Sequence, residues 1–149
     1  MRYARPTLAA ALVTAAATVT VALFSAYRLT DAPIRGRLAG PDAVGSIASA
    51  ATLVVGLVAF YRLGRSIGAR GARPAILSGA IGGALAGLIG GIAQSVALSG
   101  YLTTVLAGYA MPPEFLAIAL GVYVVVASGA AASVAAAAAY VGWYRGRAA

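Results

Sequence analysis

Four apolar runs, each near or above the length of a bilayer crossing, leave this chain few folds to adopt. They extend from Pro6 to Tyr27, Asp42 to Tyr61, Pro74 to Ser99 and Pro113 to Tyr144, and the connectors between them hold almost all of the charge. A helix needs about 20 residues to traverse the hydrocarbon core. No water satisfies a peptide group there, so only helices and closed barrels are viable. The runs are rich in alanine and leucine and lack the period-2 alternation of barrel strands. The sequence therefore predicts an all-α, integral membrane four-helix bundle. It forms a single transmembrane domain over residues 1–149, with helices over 6–28, 42–63, 74–99 and 113–144.

Composition agrees. Hydrophobic residues make up 62% of the chain and charged ones 9%, with a mean hydropathy of +0.92. A water-soluble domain carries roughly a quarter charged residues. The first run could imitate a secretory leader, but it exceeds the usual apolar region of about 7–15 residues and lacks a small-residue cleavage site. An uncleaved first helix is expected.

Eleven arginines oppose three acids, and lysine is absent. A basic balance can signal nucleic acid, but these arginines sit at the ends of apolar runs. Anionic lipid headgroups are the expected counterpart, with Arg62, Arg65, Arg70 and Arg73 as the contacts, and no nucleic-acid partner is foreseen. With four crossings, eight arginines fall on one side and three on the other, together with Asp31, Asp42 and Glu114. The arginine-rich side should be cytoplasmic. The expectation is thus a multi-pass protein of the cell membrane with both termini inside.

The halves resemble each other. Ala4-Arg5-Pro6 and Ala72-Arg73-Pro74 open helices one and three, while Pro41-Asp42 and Pro113-Glu114 open helices two and four. This suggests a parallel repeat of two helical hairpins about an axis along the membrane normal. Helix three carries the clearest packing signal. Gly79, Gly83, Gly87, Gly91, Ser95 and Ser99 recur at every fourth position, a glycine zipper that lets another helix approach closely. Its partner could be internal, since helix four offers the stripes Gly129-Ser133-Ala137 and Ala127-Ala131-Ala135-Ala139, or it could be a second copy. The excess of small faces favours a homo-oligomer or association with other membrane subunits. The segment Tyr101–Met111 would overextend helix three, so a short interfacial helix between helices three and four is expected.

No ionisable residue falls at mid-bilayer, where such groups mark function. Gln94 is the most polar buried group, and helix geometry points Tyr123 toward it. The pair forms either an interhelical hydrogen bond or part of a solute path. Thr14, Thr18 and Thr20 are expected to bond back to carbonyls of their own helix. With neither cysteine nor histidine, there is no thiolate and no Cys/His metal site. Nothing activates a serine. The three acids sit in separate contexts, a weak basis for a cation site. No catalytic residue, metal or cofactor is expected, and the chain is not read as an enzyme. Its leading reading is a non-catalytic membrane subunit or scaffold associating through helix three. The alternative is a small channel, a holin-like pore or a transporter component, with its path near Gln94 and Tyr123.

Overall fold

The structure, a computed structural model, describes residues 4–31, 43–68 and 71–147. It is all-α: α1 spans Ala4–Asp31, α2 Ala43–Ile67, α3 Ala72–Gly108 and α4 Pro113–Arg147. All four helices are long and apolar enough to cross a membrane. Arg2, Arg35, Arg37, Asp42 and Arg70, which entered the charge and headgroup expectations, lie outside the described residues.

The helix boundaries follow local chemistry. Pro6 and Pro74 stand in the first turn of α1 and α3, and Pro113 opens α4. There the missing N–H would have had no intrahelical partner anyway. Gly68 follows α2 at φ 56°, and Gly71 precedes α3 at φ 110°. Both angles are open to glycine and strained for other residues.

The connection from α3 to α4 differs from expectation. No separate interfacial helix forms over Tyr101–Met111; α3 runs on unbroken to Gly108, for 37 residues, or about 55 Å at 1.5 Å per residue. The physical reason is that excess length is not a helix-breaking force. A long helix can tilt or project, and no proline interrupts the chain before Pro112. Ser99, Thr103 and Thr104 donate their hydroxyl protons to Val96, Ser99 and Gly100 carbonyls, satisfying themselves without leaving the helix. The turn proper is Tyr109–Pro112, closed by the Ala110 N–H on the Ala107 carbonyl and the Met111 N–H on the Leu106 carbonyl.

In cross-section the helices run in the order α1, α2, α4, α3, with α2 and α3 meeting weakly across a diagonal. α1 lies parallel to α3 and α2 parallel to α4, so the two hairpins stand side by side. A two-fold along the bundle axis would instead put α1 and α3 on opposite corners. Call the end where α1 begins and α4 finishes proximal, and the other end distal.

Small residues line the interior and large ones the outside. Ala11, Ala15, Ala22, Ala75, Ala86, Ala135 and Ala139 are buried, while Leu12, Leu23, Ile47, Val96, Ile118 and Val125 are exposed. This is the arrangement of helices whose outer surface faces lipid and whose association depends on close backbone approach. Large buried side chains gather at the proximal end, where Phe60, Leu63, Ile67 and Trp143 pack around Ala10, Ala75 and Ala135.

Backbones touch most closely there. A Cβ on Gly64 would overlap the Ala139 carbonyl, and one on Gly142 would overlap the Tyr61 carbonyl. Gly142→Ala is therefore expected to cost about 1–3 kcal/mol through overpacking. Gly129 has nothing within 4 Å, so Gly129→Ala is neutral or gains up to ~1 kcal/mol of helix propensity. Heating both variants in one detergent and following the soluble fraction by size-exclusion chromatography checks this order.

Candidate functional site

The zipper positions of α3 meet α4 of the same chain. A Cβ on Gly79 would lie 2.6 Å from the Ala135 carbonyl oxygen, and one on Gly87 would lie 2.8 Å from the Ala127 carbonyl oxygen. At Gly83 the Ala131 carbonyl is nearer still. Gly91 is looser, with the Val124 Cα at 3.3 Å. The α4 stripe used is Ala127-Ala131-Ala135-Ala139, one of the two seen in the sequence. Ser95 continues the stripe, buried, with its Oγ unpartnered. Ser99 is half-buried and bonds within α3.

α3 has a second small face, which the sequence reading missed. Gly82, Ala86 and Gly90 repeat at i, i+4, i+8 beside the zipper. A Cβ on Gly82 would meet Phe60 at 2.8 Å and the Thr7 methyl at 3.2 Å, and one on Gly90 would meet the Thr18 methyl at 2.5 Å. The signal was present as the doublets Gly82-Gly83 and Gly90-Gly91, each serving two neighbours at once.

Where all four helices turn small residues inward, the axis is left unfilled. A partly open cavity of about 410 Å³ occupies the middle and distal half of the bundle. Gly56, Gly87, Gly90, Ala130 and Ala131 form much of its wall, and Phe60 marks its proximal limit. Beyond Phe60 the apolar cluster with Leu63, Ile67 and Trp143 closes the axis.

Gln94 and Tyr123 both line this cavity, Gln94 as the most distal lining residue of α3 and Tyr123 as that of α4. Among the described residues no hydrogen bond joins them, so the interhelical bond allowed by the sequence is not formed. The walls also hold hydroxyls that the sequence reading had not placed together: Thr14, Thr18 and Ser25 on α1, Ser49 and Thr52 on α2. Thr14 donates to the Ala10 carbonyl and Thr18 to the Thr14 carbonyl, both at 2.9 Å, and Thr52 donates to the Ala48 carbonyl at 3.0 Å. Among the described residues no arginine, aspartate or glutamate lines the cavity. Its described walls are neutral and weakly polar.

The charged groups lie elsewhere. Arg62, Arg65 and Arg73 are exposed at the proximal end, beside Arg145 and Arg147 of the last turn of α4. The Arg147 guanidinium stands 4.8 Å from the Trp143 ring centroid, a cation–π distance. Glu114 sits in the first turn of α4, at the distal end. Among the described residues no cluster of acids could hold a metal ion.

No family model matches the chain, and no curated protein or solved structure is significantly similar to it.

Because the chain has no cysteine, single thiols can report on the cavity without background. Thiols at Ser49→Cys and Gln94→Cys should react with a small uncharged methanethiosulfonate reagent, which needs water-accessible thiolate. A thiol at Ala75→Cys, a position with 0% exposure, should stay unlabelled until the protein is unfolded. Mass spectrometry of the labelled chains reads both outcomes.

Proposed function

We propose that this chain is a multi-pass protein of the cell membrane, with both termini cytoplasmic, that admits a small solute into its central cavity. It acts as a small channel or as a component of a transporter. One observation carries the reading: a cavity of about 410 Å³ walled by all four helices, within the range of about 300–1,000 Å³ typical of small-molecule sites. The gathering of arginines at the proximal end supports the orientation, since the positively charged side of a membrane protein faces the cytoplasm. Anionic headgroups there would meet Arg62, Arg65 and Arg73. The mechanism is passive: the wall offers hydrogen bonds and apolar surface, and no catalytic step is involved.

Stopped-flow light scattering of proteoliposomes tests this. Small solutes should equilibrate faster than in empty liposomes, and Gln94→Ala should change that rate by roughly fivefold, the worth of one net hydrogen bond. Equal rates with and without protein, across small neutral and ionic solutes, would discard the reading.

A second reading, as a non-catalytic scaffold subunit, is favoured by a different face. With the α3 stripe occupied inside the chain, self-association falls to the exposed positions Gly121, Gly129, Ser133 and Ala137 on α4, where nothing approaches either glycine within 4 Å. Under this reading Gly129→Leu reduces the particle mass seen by light scattering in detergent. Gly83→Leu instead disrupts the chain itself. An unchanged mass for Gly129→Leu would remove the scaffold reading.

A further inference from the structure

We propose that the central cavity selects uncharged small molecules that carry a hydrogen-bond donor, such as an alcohol, a phenol or a primary amide. The inference rests on the reading of this cavity as a solute site and adds the chemistry of the solute.

Among the described residues the lining carries no charged side chain. An ion that left water for this space would lose its hydration without meeting an opposite charge. Backbone N–H and C=O groups offer no substitute, because those of the lining are held within helices. The guest is therefore neutral.

The threonines narrow the choice of guest further. Each hydroxyl of Thr14, Thr18 and Thr52 spends its one proton on a carbonyl of its own helix. A hydroxyl has one donor and two acceptor lone pairs, so what remains for a guest is acceptor capacity. Thr14 and Thr18 lie one turn apart on α1. Thr14 also packs toward α2, where a Cβ on Gly56 would meet its methyl at 3.2 Å, and Thr52 lies one turn along from Gly56. At mid-cavity Thr14, Thr18 and Thr52 thus present acceptors alone, while the hydroxyls of Ser25 and Ser49 on the same helices lie nearer the distal end. A guest bearing an O–H or N–H completes the threonine acceptors, while one bearing only acceptors does not. Gln94 and Tyr123 at the distal limit can both donate and accept, suiting them to any neutral polar group on entry. Apart from Ser25 and Ser49, the rest of the described wall is alanine, glycine, valine, leucine and Phe60, so the remainder of the guest is apolar.

The test uses the full chain carrying Ser49→Cys in lipid nanodiscs, with thiol labelling as the readout. The probes are phenol, anisole, benzoate and benzylammonium, which share one ring and differ in donor and charge. Phenol should protect the thiol at about one-fifth of the concentration that anisole needs, and the two ions should protect at least about tenfold more weakly than phenol. Thr18→Val keeps the branched shape and removes the oxygen, so it should bring phenol toward anisole; Thr52→Val serves as the second variant. Protection by benzoate or benzylammonium equal to that by phenol overturns the proposal and leaves the cavity as a solute site. Equal protection by anisole and phenol also overturns it, and identifies a purely apolar pocket. Free labelling with no protection by any probe overturns both the proposal and the solute-site reading.

Discussion

Backbone-to-backbone contact through glycine is the interaction on which the rest of this bundle depends. Ala139 of α4, with 0% exposure, is held between Gly64 of α2 and Gly79 of α3. Either glycine bearing a methyl group would drive its helix away from α4. Association inside a membrane gains little from the hydrophobic effect, because lipid chains are as apolar as leucine. What remains is dispersion, which falls off within an ångström of contact. Helices carrying Leu and Val inward would still meet, but farther apart and with less contact per turn. The chain accepts the ~1 kcal/mol helix cost of each glycine and recovers it through proximity.

The same device creates the cavity. At the proximal end Phe60, Leu63, Ile67 and Trp143 fill the axis that the glycines bring together. Farther along, α3 continues with Gly83, Ala86, Gly87, Gly90 and Gly91, and the side chains that reach the wall from α1 and α2, Val21, Leu53 and Leu57 among them, do not fill the axis. Thr14, Thr18, Ser49 and Thr52 stand there too. Each is too short to fill the axis and polar enough to tolerate water. A void lined only by alanine and leucine would stay dry; this wall carries enough polar atoms to hydrate.

Much of the architecture was legible in the residues. Helix number and type followed from run length, and the α3 stripe was visible because its period is sustained from Gly79 onward. Which surface the stripe met was not legible, since the two stripes on α4 and those of a second copy were chemically equivalent. The Gly64–Ala139 and Gly142–Tyr61 crossings left no periodic trace: each is a single glycine near a helix end, among arginines and tyrosines that drew attention to the interface instead. The extension of α3 through Tyr101–Gly108 was misjudged because bilayer thickness was taken as a limit on helix length. Thickness limits where apolar residues are comfortable, and a helix ends only where its hydrogen bonding is interrupted. Gln94 was picked out by polarity and Tyr123 by helix geometry, and both line the cavity. The threonines beside them were accounted for by back-bonding, which is correct for their protons and silent about their lone pairs.

Interlock is unequal among the four helices, and this bears on how a solute could pass the proximal cluster. α4 is gripped on both sides at the level of backbone atoms, by α2 at Gly64 and Gly142 and by α3 at Gly79, Gly83 and Gly87. α1 is held differently. Its contacts with glycine run through the side-chain methyls of Thr7, Thr14 and Thr18, and it makes no extensive contact with α4. Methyl groups can shift by rotamer or by small rigid-body movement, whereas a backbone lodged against a glycine has no such freedom. α2, α3 and α4 therefore act as a frame and α1 as the element least bound to it. Under the proposed solute reading, a continuous path beyond Phe60 requires Thr7 to withdraw from Gly82 and Ala10 from the apolar cluster. Both residues belong to α1, so the helix with the weakest interlock is also the one that carries part of the seal.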